Sequence, residues 1–260
     1  MAVRVDRAAR DEVDTIAYLG ENVLRNALDI WNLEHEGGRY ELNLSRVDDK
    51  IRAHLSIYRT PEANYVNLGG SEEPAEALLH LLPAKAVLTI SPDFKGMIAK
   101  EVRYDAIYPN DIMVVGRGEE KLRSPGLAMR LAREHEVEYS TFGSSFNAPR
   151  VPLDWTRERL DNDIVFGAFS EGRLASVASV VAWLPQMALI MGVETKKEFR
   201  GRGLGGAVVS AAVQEALRRS KLCSLFVRSD NNVALGLYRA LGFWKVGEEL
   251  WVDIGTGMVP

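Results

Sequence analysis

Apolar and polar positions in the second half of the chain follow first a strand period and then a helix period. Two apolar runs, residues 164–169 and 174–183, flank the turn sequence Ser-Glu-Gly-Arg and predict an antiparallel hairpin. A third run at residues 187–193 precedes a charged, glycine-rich turn. Residues 204–219 then place their apolar side chains on one helical face. This part of the chain therefore predicts three strands followed by a helix.

The same alternation continues towards the end of the chain. Residues 222–227 are apolar and predict a buried strand. Asn231 or Asn232 can cap a second helix, and Gly242 stands where such a helix would stop. Residues 244–254 are strand-like. The second half thus predicts a domain of mixed α and β structure.

The first half of the chain also mixes helical and strand periods. Apolar positions recur at helical spacing over residues 10–32. The strand-like segments are residues 40–44, 54–58, 65–70 and 85–90, and a short helical stretch covers residues 74–82. Residues 118–126 are charged and then broken by proline and glycine, a composition typical of linkers. Because 260 residues suffice for two domains, we predict a division into residues 1–122 and 123–260.

Composition narrows the possible functions. The 32 basic and 36 acidic residues give a net charge of −4, which provides no broad basic field for nucleic acid. The amino-terminal residues lack the apolar core of a signal peptide, and the apolar stretch at residues 174–185 is too short to span a bilayer. We therefore expect a cytoplasmic protein without nucleic-acid or membrane partners.

Cysteine and histidine usage argues against a metal site. The single cysteine, Cys223, excludes an internal disulfide and any zinc site that needs two thiolates. It lies in an apolar strand sequence, so we expect an inert packing role. The four histidines show no ligand spacing. No metal is predicted.

The turn before the helix at residues 204–219 has the composition of a phosphate-binding loop. A strand that passes through a glycine turn into a helix presents unpaired N–H groups and the positive end of the helix dipole. Gly201, Gly203 and Gly205 lack side chains that would hold a phosphate away, and they can adopt positive φ. The neighbouring basic residues are Lys196, Lys197, Arg200 and Arg202. A plain structural turn and a dinucleotide-binding loop are the alternatives, although the latter expects glycine where Arg200 stands.

The sequence around this turn resembles the acetyl-coenzyme A-binding motif of the GNAT acyltransferase superfamily. That motif has Arg or Gln, two residues, Gly, one residue, then Gly or Ala, which Arg200, Gly203 and Gly205 match. The family's second signature has Asn and Tyr seven residues apart, which Asn231 and Tyr238 match. The resemblance covers about residues 126–254 and implies the GNAT fold, a mixed, mostly antiparallel sheet flanked by helices.

The resemblance also implies acetyl-coenzyme A as acyl donor and a set of residues that hold it. In the family, the strand before the loop pairs with the pantetheine arm and polarises the thioester carbonyl, and the loop binds the pyrophosphate. The implied binding residues are Val193, Glu194, Thr195, Arg200, Gly201, Arg202, Gly203, Leu204, Gly205, Gly206, Asn231 and Tyr238.

The implied chemistry needs an acid and a base. Tyr238 occupies the family's general-acid position, where a phenol protonates the departing sulfur. Glu194, beside the thioester on the cofactor strand, is our candidate base. Some relatives carry a glutamate five residues before the motif Asn, but Phe226 stands there, which argues against acetylation of protein amino termini. Water-mediated deprotonation remains open; the carboxylates considered for it are Asp230, Glu248 and Glu249.

The first half repeats the order strand, glycine turn, helix, strand over residues 65–90. We therefore expect a degenerate second copy of the fold, similar to tandem members such as the glycine N-acyltransferase-like group; an unrelated α/β domain is the alternative. The predicted function is N-acetyl transfer to a small-molecule, amino-acid or peptide amine. A non-catalytic acyl-coenzyme A-binding sensor or scaffold is the competing hypothesis.

Overall fold

The computed structural model describes residues 3–8, 12–142 and 152–257. Contacts within the chain divide it into two compact units. Unit 1 comprises Met1–Asp111, Arg228–Asp230 and Gly247–Pro260, and unit 2 comprises Ile112–Val227 and Asn231–Val246. None of the helices in the described ranges is long and apolar enough to cross a membrane.

Unit 1 is a mixed sheet with helices. Its strands are β1 (Val3–Arg7), β2 (Tyr40–Val47), β3 (Lys50–Arg59), β4 (Asn64–Gly70), β5 (Ala86–Ile90), the first part of β6 (Ala106–Gly116) and the last part of β12 (Trp244–Ile254). Its helices are α1 (Val13–Gly20), α2 (Val23–His35), α3 (Glu72–Glu76) and α4 (Lys95–Glu101). The strand order is β1-β2-β3-β4-β5-β12-β6. The pairs β1–β2, β2–β3, β3–β4 and β5–β12 are antiparallel, and β4–β5 is parallel.

The core of unit 1 follows the strand period. Alternate residues such as Leu55 and Ile57 on β3 and Val66 and Leu68 on β4 are almost fully buried. The side chains that point the same way along β3 and β4 therefore form one apolar layer.

Unit 2 contains the second set of strands and helices. Its further strands are β7 (Met129–Arg130), β8 (Ile164–Ser170), β9 (Arg173–Trp183), β10 (Met187–Thr195) and β11 (Leu222–Arg228, of which Arg228 belongs to unit 1). Its helices are α5 (Glu136–Ser140), α6 (Leu153–Asn162), α7 (Leu204–Arg219) and α8 (Asn232–Ala240). The strand order is β6-β11-β10-β9-β8-β7. Strands β7 to β10 pair antiparallel, and β10–β11 is parallel.

Most sequence predictions for unit 2 are confirmed. The hairpin is β8–β9, and residues 204–219 form one helix, α7. Small buried residues such as Ala207 and Ala212 let α7 lie close to the sheet. The predicted fold class, a mixed and mostly antiparallel sheet flanked by helices, is likewise confirmed.

The predictions for unit 1 need three corrections. The helical stretch predicted over residues 74–82 is helix α3, which ends at Glu76, followed by a separate 3₁₀ turn at Leu79–Leu81. The helical pattern over residues 10–32 is two helices, α1 and α2, with a break between them; residues 10 and 11 lie outside the described part. Strand β6 was not predicted because Pro109 lies inside it, and a proline normally argues against a strand interior. The repeated order is present, since β4, α3 and β5 parallel the arrangement of β10, α7 and β11.

The segment 118–126 is hydrogen-bonded to unit 2. The Lys121 N–H donates to the Leu241 carbonyl at 2.9 Å, and the Arg123 N–H donates to Ser210 Oγ at 2.8 Å. The division by contacts falls at Asp111/Ile112. The boundary between residues 1–122 and 123–260 stays a prediction.

Glu249 is a carboxyl group buried in unit 1. Its Oε1 accepts a hydrogen bond from Trp251 Nε1 at 2.6 Å, and the side chain is 1% exposed. Burial raises the pKa of Glu249 to about 7, although the hydrogen bond and the charge of Arg25 lower it in part. The ionised form is therefore disfavoured in the folded chain.

We predict that Glu249→Gln removes a pH-dependent loss of stability. Because the folded chain keeps the Glu249 proton to higher pH than the unfolded chain, the free energy of unfolding falls as pH rises from about 4.5 to about 7. The stability of E249Q relative to wild type should increase by about 3 kcal/mol between pH 5 and pH 8. Urea unfolding at both pH values measures this difference. The control is Glu248→Gln, at the exposed residue next to Glu249. An equal change in stability with pH in both variants would contradict the raised pKa of Glu249.

Candidate active site

A β-bulge deforms the strand that leads into the glycine loop. The register of β10 on β9 shifts between Met191 and Glu194. Gly192 and Val193 lie within the shift, and Gly192 has a φ of +62°, in the left-handed region that favours glycine. A bulge bends its strand and changes the direction of the residues that follow.

Strand β10 also parts from β11. Their parallel register begins at Met187–Leu222 and ends at Ile190–Leu225, although β10 continues to Thr195. On the side away from β9, the backbone of residues 191–195 therefore has no strand partner among the described residues. Such backbone groups need hydrogen-bond partners, and an extended ligand chain can supply them.

The end of β10 is held by a buried serine of β9. Ser176 Oγ donates to the Glu194 carbonyl at 2.8 Å and lies 2.8 Å from Thr195 Oγ1. These bonds fix the last residues of β10, beyond the point where its pairing with β11 ends. Residues Val193, Glu194 and Thr195, which were predicted to contact the donor, remain partly exposed there.

The glycine loop adopts left-handed backbone at two positions. Gly201 has a φ of +77° and Gly203 a φ of +78°, as the sequence allowed. Positive φ was also expected at Gly205, but this residue lies inside α7 and has helical backbone. A Cβ at Gly205 would sit 3.0 Å from Thr195 Oγ1 and 3.7 Å from Leu237 Cδ2, so a side chain there would press on Thr195 and make an ordinary contact with Leu237.

The start of α7 leaves several donors free of helical partners. The first bond of the helix runs from the Ala207 N–H to the Gly203 carbonyl at 3.1 Å, and no side chain caps the helix. The N–H groups of residues 204–206 therefore have no acceptor within the helix. A Cβ at Gly201 or Gly203 would meet no protein atom within 4 Å. This open loop with free donors and a positive dipole end suits a phosphate anion.

The basic side chains at the loop differ in the groups they bind. Arg200 is exposed and its Nε donates to the Thr195 carbonyl at 3.0 Å. Arg202 forms an ion pair with Glu171 at 2.5 Å and contacts Ser170 Oγ at 3.3 Å. Because Glu171 balances the charge of Arg202, the positive charge at the loop comes mainly from Arg200 and the neighbouring lysines, Lys196 and Lys197.

Helix α8 carries the second motif. Asn231 Oδ1 accepts a hydrogen bond from the Ala234 N–H at 3.1 Å, so Asn231, and not Asn232, is the N-cap. Tyr238 is 5% exposed, and its ring centroid lies 5.9 Å from that of Phe243. No group in the described part of the chain hydrogen-bonds its hydroxyl. Burial raises the pKa of Tyr238 to about 12, which keeps the phenol protonated at neutral pH.

The two motifs meet in unit 2. The same glycine, Gly205, approaches Thr195 of β10 and Leu237 of α8, the residue next to Tyr238. The open end of β10 and the helix of Tyr238 therefore both adjoin the start of α7 at this glycine.

Glu194 has the electrostatic character of a base near neutral pH. It is partly buried, and burial raises its pKa to about 7 although Lys196 and Arg200 lower it in part. The other carboxylates considered in the sequence belong to unit 1. Asp230 is paired with Arg228 at 2.6 Å, which lowers the pKa of Asp230.

Cys223 is fully buried in the apolar core of unit 2, where burial raises the pKa of its thiol. The predicted packing role is confirmed. Within residues 3–8, 12–142 and 152–257, no cluster of three or more His, Cys, Asp or Glu side chains could hold a metal ion.

Two residues that shape the site, Gly192 and Ser176, were not among the predicted site residues. Gly192 lies within an apolar strand run, where an isolated glycine is itself a signal for a bulge. Ser176 gives no such signal, because only its position opposite Thr195 in the folded sheet reveals its role.

Comparisons with known proteins show which sequence family and which folds this chain is similar to. Residues 165–252 match the family model described as FR47-like protein. No curated protein is similar to the chain in sequence at a significant level.

Several solved structures share the fold over nearly the whole chain. A Drosophila protein has a TM-score of 0.75 at 15% identity, covering 98% of this chain and 99% of its own. A tandem GNAT protein from the clavulanic acid biosynthesis pathway has a TM-score of 0.62 at 15% identity, covering 100% of both chains. A GCN5-related N-acetyltransferase from Sphaerobacter thermophilus has a TM-score of 0.58 at 16% identity, covering 96% of this chain and 95% of its own. Residues 165–252 are thus similar to the FR47-like family, and the chain as a whole shares its fold with a tandem GNAT protein.

Proposed function

We propose that this protein is an N-acetyltransferase that transfers an acetyl group from acetyl-coenzyme A to a primary amine by direct attack. The observation that carries the proposal is that the open end of β10 and the helix of Tyr238 both adjoin the start of α7 at Gly205. A GNAT fold supports acyl transfer generally, and this arrangement brings together groups suited to each part of that reaction.

The residues around the loop fit the donor. The backbone of Val193, Glu194 and Thr195, which has no strand partner on the side away from β9, would hold the pantetheine arm. The free N–H groups of Leu204, Gly205 and Gly206 would hold the pyrophosphate, with Arg200 as counter-charge. When bound, the donor supplies an activated acyl thioester. Asn231 already caps α8, so we assign it the indirect role of fixing the helix that carries Tyr238.

Two side chains would move the protons. Glu194 takes a proton from the attacking amine, which is protonated in water and cannot attack in that form. Tyr238, held neutral by burial and with a free hydroxyl, gives a proton to the departing thiolate. Backbone N–H groups at the open end of β10 stabilise the negative charge that develops on the thioester oxygen.

We further propose that the acceptor is the amine of a small molecule, an amino acid or a peptide, and that the protein acts in the cytoplasm without nucleic-acid or membrane partners. A thiol-release assay with acetyl-coenzyme A and a panel of such amines tests the proposal. Donor binding without turnover on every acceptor would favour the sensor or scaffold function instead.

We predict that Tyr238→Phe lowers kcat by about 10²–10⁴-fold. The variant keeps the ring in its apolar site and removes only the hydroxyl, so the Kd for coenzyme A should change little. Steady-state kinetics and calorimetric titration measure the two effects separately. Tyr139→Phe, in another cluster of unit 2, is the matched control. Wild-type turnover in Y238F would exclude the acid role.

We predict that Glu194→Gln removes a pH-dependent part of the rate. The base must be ionised, so its contribution to kcat/KM is lost as pH falls through about 7. The ratio of wild-type to E194Q rates should therefore grow between pH 6 and pH 8, reaching about 10²-fold. Taking the ratio at each pH cancels the titration of the amine itself. Exposed Glu198 gives the control, E198Q, and a constant ratio for E194Q would remove Glu194 as the base.

We predict that Gly203→Ala weakens coenzyme A binding. A non-glycine residue at a φ of +78° costs about 1–2 kcal/mol, so the loop should rearrange and the Kd should rise about tenfold. Gly236→Ala is the control, because this glycine lies within α8 with open space around it. Calorimetric titration with coenzyme A measures both variants, and unchanged affinity in G203A would argue against this loop as the binding element.

A further inference from the structure

Unit 1 contains a cavity of about 220 Å³. Its walls include Tyr18, Asn22, Arg25, His54, Asn67 and Gly70. The volume is below the roughly 300–1,000 Å³ of pockets for drug-sized ligands. The cavity therefore suits a small polar molecule.

A buried polar network backs this cavity. His54 on β3 is 1% exposed; its Nδ1 lies 3.1 Å from Tyr18 Oη and its Nε2 lies 3.3 Å from Asn67 Nδ2. Asn67 Nδ2 also donates to Asp29 Oδ2 at 2.5 Å, and the Tyr40 hydroxyl donates to Asp29 Oδ1 at 3.2 Å. The carboxylate of Asp29 is thus fully engaged inside the protein.

The network determines where the His54 proton lies. The Asn67 amide must turn its Nδ2 to Asp29, because its oxygen would repel the carboxylate. The same Nδ2 faces His54 Nε2, so Nε2 accepts and the ring proton sits on Nδ1. His54 Nδ1 therefore donates to Tyr18 Oη.

Tyr18 is therefore left with a hydroxyl proton to donate. Its oxygen accepts from His54, and no other group among residues 3–8, 12–142 and 152–257 bonds to it. Burial, with the charges of Glu21 and Asp29, raises the pKa of Tyr18, so the phenol stays protonated. Because Tyr18 lines the cavity, it presents a donor to whatever occupies that space.

Arg25 supplies a second donor at the same cavity. Its Nη2 donates to the backbone carbonyl of Glu248, and its side chain is half-buried. A guanidinium carries five N–H donors in a planar fork that matches a carboxylate. Glu21 also lines the cavity, and its negative charge, which helps to raise the pKa of Tyr18, partly offsets that of Arg25.

The neighbouring glycines show that the network is built into the fold. A Cβ at Gly69 would lie 2.4 Å from His54 Cε1. A Cβ at Gly70, which has a φ of +107°, would lie 2.7 Å from Tyr18 Oη and 2.3 Å from the Arg52 carbonyl. The end of β4 can therefore pass these two side chains only as glycine.

We propose that this cavity of unit 1 is a binding site for a small carboxylate, held by the Tyr18 hydroxyl and the Arg25 guanidinium. His54 is the positioning residue that directs the Tyr18 proton into the cavity. The site is separate from the proposed acyl transfer and does not depend on it.

Calorimetric titration of the full chain tests the site with acetate, propionate and succinate as probes. Propionamide is the neutral analogue of propionate, and inorganic phosphate tests for a general anion site. We expect at least one carboxylate to bind and propionamide not to bind. Binding of none of the carboxylates, equal binding of propionamide, or binding of phosphate alone would overturn the proposal.

Tyr18→Phe should raise the Kd of the bound carboxylate about tenfold, since it removes one hydrogen bond to a charged group. Tyr104→Phe, at another position packed on the unit 1 core, should leave it unchanged. If thermal unfolding shows that Y18F does not fold, Arg25→Gln carries the same test, with Arg59→Gln as control. Unchanged affinity in Y18F or R25Q would contradict the proposed contacts.

A final comparison separates this site from the transferase. In Tyr238→Phe the carboxylate should bind as in wild type while turnover falls. Loss of turnover therefore says nothing against the cavity, and loss of carboxylate binding says nothing against acyl transfer.

Discussion

The parting of β10 from β11 is the constraint on which the site in unit 2 depends. The two strands pair only as far as Ile190 and Leu225, and the bulge at Gly192 then bends β10. A sheet normally satisfies its own backbone, so this opening is stable only if other groups hold the strand. Ser176 does so from β9, and Gly205 allows α7 to lie against Thr195. The start of α7 thus lies against the part of β10 that this interruption leaves open.

The two units use the same order of elements, but the space beside their glycine turns differs. In unit 2, the space beside Gly201 and Gly203 is free of protein atoms within 4 Å. In unit 1, the corresponding space beside Gly70 is filled by the Arg52 carbonyl and Tyr18. Helix α3 of unit 1 also has only 5 residues, against 16 in α7, which provides a much weaker dipole. The turn of unit 1 is thus packed with protein where that of unit 2 is open.

The sequence predicted the local elements of unit 2 well because their apolar periods are regular and their ends carry strong signals. Asn231 caps α8 and Gly242 ends it, as such residues usually do. Properties that depend on tertiary burial could not be predicted. The pKa of about 7 at Glu194 follows from its surroundings, and the tight fit at Gly205 follows from its neighbours rather than from φ. In unit 1, the polar network of His54 joins residues from separate helices and strands, which no spacing in the sequence reveals.

The burial of Cys223 has a practical consequence for enzymology. It is the only thiol of the chain, and it lies with no exposed surface in the strand β11. Chromogenic thiol reagents reach a buried cysteine only when the protein unfolds locally or globally. In a folded sample, the colour would therefore come from coenzyme A released during turnover, and a slow background signal would report unfolding of unit 2.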